Sequence, residues 1–91
     1  MASLDEVYEQ MRVFERALAE FNQEIQASAS ALAASHEEVC GIWKDEASVR
    51  YRQTYEPLAQ SLDHYLRSSA PGFERFLETK IRQLEQYLNG T

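Results

Sequence analysis

Val39-Cys40-Gly41-Ile42-Trp43-Lys44-Asp45-Glu46-Ala47-Ser48 carries the signals for a turn between two helices. Long helical patterns flank it, and it holds the only tryptophan of the 91-residue chain. Gly41, lacking a Cβ, can take the left-handed conformation that stops a helix, so the first pattern is expected to end there. Asp45 can start the second, because its carboxylate can accept from backbone N–H groups that lack partners in a first turn. Trp43 then sits at a corner between two helices, either as an apolar plug on the end of a core or as a contact residue at an exposed tip.

Outward on the N-terminal side, apolar residues recur at Leu4, Val7, Met11, Phe14, Leu18, Phe21 and Ile25, in steps of three and four. The same register continues through Ser28, Leu32, Ser35 and Val39, which predicts one helix over about 4–39. Ser3 and Glu6 have the spacing of a capping box at its start. At 1.5 Å per residue such a helix is roughly 54 Å long and needs partners along its whole length. Residues 27–35 are almost entirely alanine and serine, which lets a neighbour approach closely or leaves room for large side chains opposite.

On the C-terminal side, Ser48, Tyr51, Tyr55, Leu58, Leu62 and Tyr65 step in the same way and predict a helix over about 46–67, kinked at Pro57. Ser68-Ser69-Ala70-Pro71-Gly72 reads as a break at 68–72, with a serine cap and proline in the first turn of a new helix. That helix, about 73–89, carries Phe73, Phe76, Leu77, Ile81, Leu84 and Leu88, with Glu78 and Arg82 as an i,i+4 pair and Asn89-Gly90 as its stop. Its seam is displaced by about one residue from the preceding one, which favours a kink or break over a straight rod.

Folding the chain back at the corner 40–45 pairs residues whose numbers sum to about 86. Ser35 then falls near Tyr51, Ser28 near Leu58, Phe21 near Tyr65 and Phe14 near Phe73. Small residues face large ones beside the turn, and aromatics face aromatics at the far end. The expected fold is all-α: a single domain over 1–91, built as a long antiparallel hairpin whose second arm is kinked or broken near Pro71. Phe14, Phe21, Tyr51, Leu58 and Leu62 are expected to hold it. A hairpin buries only one face of each arm, so it is expected to pair into a four-helix dimer. The alternative is a three-helix bundle whose last helix turns back, acting as a cytoplasmic adaptor or regulatory module.

The formal net charge of −6 argues against nucleic acid or an anionic membrane surface as partner. No apolar run approaches the roughly 20 residues that span a bilayer, and no cleavable signal peptide is visible. Cys40, the only cysteine, cannot form an internal disulfide. His36 and Cys40 lie four apart and could share a metal with Glu37, Glu38 or Asp45, but two ligands at helical spacing fall short of a structural site, and no metal or other cofactor is expected. Asp63 and His64 are adjacent and so do not face one another on a helix. The glycines form no phosphate loop, and no nucleophile–base pair is legible. An enzyme is not expected.

Trp43-Lys44-Asp45-Glu46-Ala47-Ser48-Val49-Arg50-Tyr51 resembles the signature of the WXG-type family of small type VII secretion proteins. In that family a tryptophan, a spacer and a glycine occupy the turn of a helical hairpin, often followed by alanine and an aromatic. Trp43, Ala47 and Tyr51 fall at matching positions; Asp45 stands where the family has glycine. The family's C-terminal tyrosine-then-acid pattern is missing, Tyr87 being followed four residues later by Thr91. The resemblance implies a non-enzymatic helical protein, a secretion substrate or a partner or chaperone of a larger secreted protein. It further implies a homodimer, or a heterodimer with a related small helical chain, made in the cytoplasm or exported without a cleavable signal. Ile42, Trp43, Asp45 and Tyr51 would form the contact for a secretion component at the tip.

Overall fold

A computed structural model describes residues 3–90; Met1, Ala2 and Thr91, and with them the ends of the 1–91 domain reading, lie outside the described residues. The described residues are helical almost throughout, and none is in a strand. Helix α1 (Leu4–Ile42) forms the first arm, while α2 (Glu46–His64), a π-helical turn (Tyr65–Ser69) and α3 (Ala70–Leu88) run on without a loop as the second. The hairpin measures 66 × 22 × 16 Å.

Each end of the arms has a chemical cause. The Ser3 hydroxyl accepts from the Glu6 N–H at 3.2 Å, as the spacing predicts. The first arm does not stop at Gly41, however. It runs through Gly41 to Ile42, and among the described residues only Gly90 has a positive φ, 71°. The helix is closed instead by Trp43, whose extended backbone leaves the spiral while its N–H still donates to the Val39 carbonyl at 2.8 Å. Asp45 opens α2 as expected, its carboxylate accepting from the Ser48 N–H at 3.2 Å. Ser48 returns a bond from its hydroxyl to the Asp45 carbonyl at 2.6 Å and is the most buried residue described. Gly90 follows Asn89 in the left-handed conformation that terminates α3, the role that Asn89-Gly90 suggests.

The break expected over 68–72 is not there. Ser69 has helical backbone angles and makes no side-chain cap. The chain instead widens to a π turn in which the Ala70 N–H reaches back five residues to the Tyr65 carbonyl. One extra residue in a turn rotates everything beyond it by about 100° relative to an uninterrupted helix. That absorbs the one-residue displacement between the α2 and α3 seams without a loop. Pro71, which has no N–H to offer, follows directly in the first turn of α3, where proline is tolerated. Pro57 lies inside α2, which continues through it. A last helix that turns back as a third bundle member is thereby ruled out for the described chain.

The arms pack unevenly: α1 packs mainly on α3 and touches α2 little. The dry part of the interface is small, comprising Ala70, Leu77 and Ile81 on α3 with Asn22 opposite on α1. Asn22 donates to Glu74 Oε1 at 2.9 Å and accepts from the Tyr65 hydroxyl, tying α1 to the first residue of the π turn and to α3 beyond it. Nearer the open end, the Tyr8 hydroxyl donates to Glu85 Oε1 at 2.9 Å and accepts from Arg12. Chiefly through that bond, Tyr8 raises the pKa of the Arg12 guanidinium. Phe14 meets Phe73 edge to face at 6.0 Å, the pairing expected from folding at the corner.

The small-residue half is not closely packed, contrary to the expected size matching. A cleft of about 430 Å³ lies between Ala29, Ser30 and Ala33 on one arm and Tyr55, Ala59 and Leu62 on the other. Beside it, His36 stacks on Tyr55 at 3.9 Å. Rings standing between the arms fix their separation, and alanine and serine are too short to fill what is left.

Candidate partner-binding surface

The four residues assigned to the tip behave differently from one another. Ile42 projects into solvent, 86% exposed. Trp43 is half-buried, its ring 5.6 Å from that of Tyr51. Tyr51 is half-buried too, and its hydroxyl shares a 3.0 Å hydrogen bond with His36 Nδ1. Asp45 is exposed but its carboxylate is engaged in capping α2. The fold therefore joins Trp43 to Tyr51, leaves Ile42 as the most exposed apolar side chain at the tip, and gives Asp45 a structural task.

Trp43 is neither sealed in a core nor fully presented. Trp43→Ala is expected to cost about 1–2 kcal/mol, below the roughly 3–5 kcal/mol of a fully buried aromatic. A thermal melt checks this: no shift would make the ring purely a contact residue, and a collapse of the melt would make it a plug.

His36 and Cys40 are neighbours, with Sγ 3.5 Å from Nε2 and 3.9 Å from Nδ1. A thiol donating along the Nε2 lone pair would stand much farther from Nδ1. The sulfur therefore lies off the lone-pair axis, which is not the geometry of a base activating a nucleophile. Glu37, Glu38 and Asp45 do not join the pair: among the described residues no three His, Cys, Asp or Glu side chains are placed to hold a metal ion. His36, Tyr51, Tyr55 and Trp43 instead form a chain of ring contacts under the tip.

The larger surface lies elsewhere, on residues that the hydrophobic period places inside the hairpin. Phe14, Phe21 and Leu58 are about half exposed, at 49%, 51% and 50%. Tyr51 and Leu62 alone of the five expected clasp residues are partly covered. The arms close instead on the seven-residue series Tyr8, Glu15, Asn22, Ala29 and His36, with Leu18, Ile25 and Cys40 beside it; all are buried or half-buried. The two stripes share one helix, and Phe14 stands about 100° around it from Glu15 and about 80° from Asn22. Val7, Phe14, Phe21 and Leu32 are left on the outside. On α3, Phe73, Phe76 and Tyr87 are likewise exposed, and the Phe14–Phe73 contact puts both sets on one side of the molecule. Together they make an apolar platform across α1 and α3, with a groove of about 680 Å³ lined by Leu4, Met11, Phe76, Leu84 and Tyr87. The period of the apolar residues announces this stripe; a period alone does not say whether its partner is the same chain or another.

No family model, curated protein or solved structure matches this chain. Among the described residues, no helix is long and apolar enough to cross a membrane.

Proposed function

We propose that this is a non-enzymatic protein that acts by helix–helix association, through the apolar platform of α1 and α3. The observation that carries the reading is the exposure of Val7, Phe14, Phe21, Phe73, Phe76 and Tyr87 on one face of a hairpin whose own dry core is only a few residues. A contiguous apolar face of this kind costs free energy in water and marks an interaction site. Covering it with another pair of helices gives a four-helix arrangement, the usual solution for a two-helix hairpin. The likeness of the Trp43–Tyr51 segment to the WXG-type secretion proteins supports a role as a secretion substrate or as partner of a secreted protein. In that role Ile42 and Trp43 at the tip offer a contact for a secretion component. The protein would be made in the cytoplasm and exported without a cleavable signal. Appearance of the intact chain in culture medium, lost when the type VII machinery is removed, tests that part.

Phe14→Asp tests the association. Phe14 is half exposed in the isolated chain, so helicity by circular dichroism should stay near the wild-type level. Mass by light scattering should fall from that of an assembly, with itself or with a helical partner, to that of one chain, because an unpaired carboxylate would lie within the interface. A wild-type chain that melts cooperatively as a monomer at every concentration, and captures no helical partner, would defeat the proposal.

A further inference from the structure

The charges around the platform say what kind of chain covers it. Residues 4–42 hold eight carboxylates and two arginines, whereas the rest of the chain holds seven acidic and seven basic side chains. The whole formal charge of −6 thus resides on the first arm. Around α1, Arg12 and Arg16 each lie two residues from Phe14, so they stand about 160° away, behind the platform. Glu6 and Glu24 stand about 80° from Phe14, on the side away from Asn22, and Glu20 about 120°. These three glutamates are exposed, and among the described residues none is in an ion pair. The outer rim of the apolar stripe is therefore acidic along several turns. The α3 edge of the same platform carries Lys80, whose ammonium lies 5.6 Å from the Phe76 ring.

A second copy does not match this rim. Stacked antiparallel, face to face, two copies set α1 on α1 and bring one row of glutamates against another. Stacked with both tips at one end, they set α1 against α3, which answers the row with little more than Lys80. Like charges across an interface suppress pairing, and opposite charges select a partner. We infer that the platform takes a cationic amphipathic helix, apolar on one face and edged with lysine or arginine on the side that meets Glu6, Glu20 and Glu24. The inference rests on the association reading above and narrows its partner.

The experiment is calorimetric titration of the full chain with three synthetic peptides: an amphipathic helix rimmed with lysine, the same apolar face rimmed with glutamate, and a scrambled lysine peptide with no apolar face. The lysine-rimmed helix should bind on the order of tenfold more tightly than the glutamate-rimmed one at low salt. The advantage should shrink at high salt and in the Glu20→Gln/Glu24→Gln variant, and Phe14→Asp should abolish binding of both amphipathic peptides. Equal binding of the two amphipathic helices, or equal binding of the scrambled peptide, overturns the inference. So does light scattering that finds a stable dimer of this chain alone, although that outcome leaves the association reading standing. A folded monomer that binds none of the peptides removes both.

Discussion

Ile81→Asp is expected to abolish the cooperative fold. Ile81 is 5% exposed and, with Leu77 one turn away, supplies most of the apolar side chain that the arms bury between them. The substitution removes a buried aliphatic group and puts a carboxylate between the arms, where Glu15 and Glu85 already line the surface and Arg12 is bonded to Tyr8. The combined loss is about 4 kcal/mol or more, against roughly 5 kcal/mol of total stability for a small domain. Far-UV circular dichroism should show lower helicity and no cooperative melt, since a hairpin without its contact surface is two marginal isolated helices. Arg82→Ala is the control. Its ion pair with Glu78 is exposed and worth well under about 1 kcal/mol, so that variant should melt within a few degrees of wild type. A folded Ile81→Asp chain with a native melt would mean that α1 and α3 do not meet through this face.

Deleting Ser68 is expected to have the second-largest effect, and to act on register rather than on burial. The π turn over Tyr65–Ser69 holds one residue more than an α turn needs. Without it the second arm becomes a regular helix, and α2 turns about 100° around its axis relative to α3. If α3 keeps Leu77 and Ile81 on α1, then Tyr51, Tyr55 and Tyr65 leave the face that meets the first arm. The His36–Tyr55 stack and the Tyr65–Asn22 hydrogen bond are lost together. The cost should be roughly 2–3 kcal/mol, concentrated in the half beside the tip. Tryptophan emission reads it directly, because Trp43 loses Tyr51 as its neighbour and should shift to the red. Exchange of the α1 amide hydrogens should quicken over residues 29–42 and stay slow near Asn22. Unchanged emission and exchange would show that the extra residue has no part in aligning the arms.

The π turn also shows what a one-dimensional pattern can carry. The displacement of the α3 seam by one residue is legible in the sequence, and so is a change of helix near Pro71. Whether one residue of displacement is met by a loop, a kink or a widened turn depends on what α1 offers opposite. Asn22 bonds to Tyr65 at the start of the turn and to Glu74 beyond it, and a loop would lose one of the two. The end of α1 is similar. Glycine at 41 permits a left-handed stop but does not require one, and the corner is set instead by the extended backbone of Trp43 and by the Asp45–Ser48 cap.

The candidate surface is legible by composition but not by location. Phe14 and Phe21 stand out because they repeat every seven residues, but Tyr8, Glu15, Asn22, Ala29 and His36 repeat just as faithfully one position later. The second series is mostly polar or small, and hydrophobicity gives it no weight. It closes the hairpin because its polar members have partners, Tyr8 with Glu85, Asn22 with Glu74 and Tyr65, His36 with Tyr51. Satisfied hydrogen bonds across two arms depend on side chains that are some 15–77 positions apart, which no local window contains.

The helical class, the hairpin turn at Trp43, the caps at Ser3 and Asp45, the stop at Gly90 and the pairing of Phe14 with Phe73 are all written in the amino-acid order. Each of these follows from local backbone chemistry or from simple folding of one helix onto another. Which of two adjacent stripes on α1 faces inward is set by the packing of the arms. That choice is collective: the arms settle where Leu77, Ile81 and the polar pairs are satisfied at once, and the rotation that satisfies them turns Phe14 and Phe21 outward, to the surface.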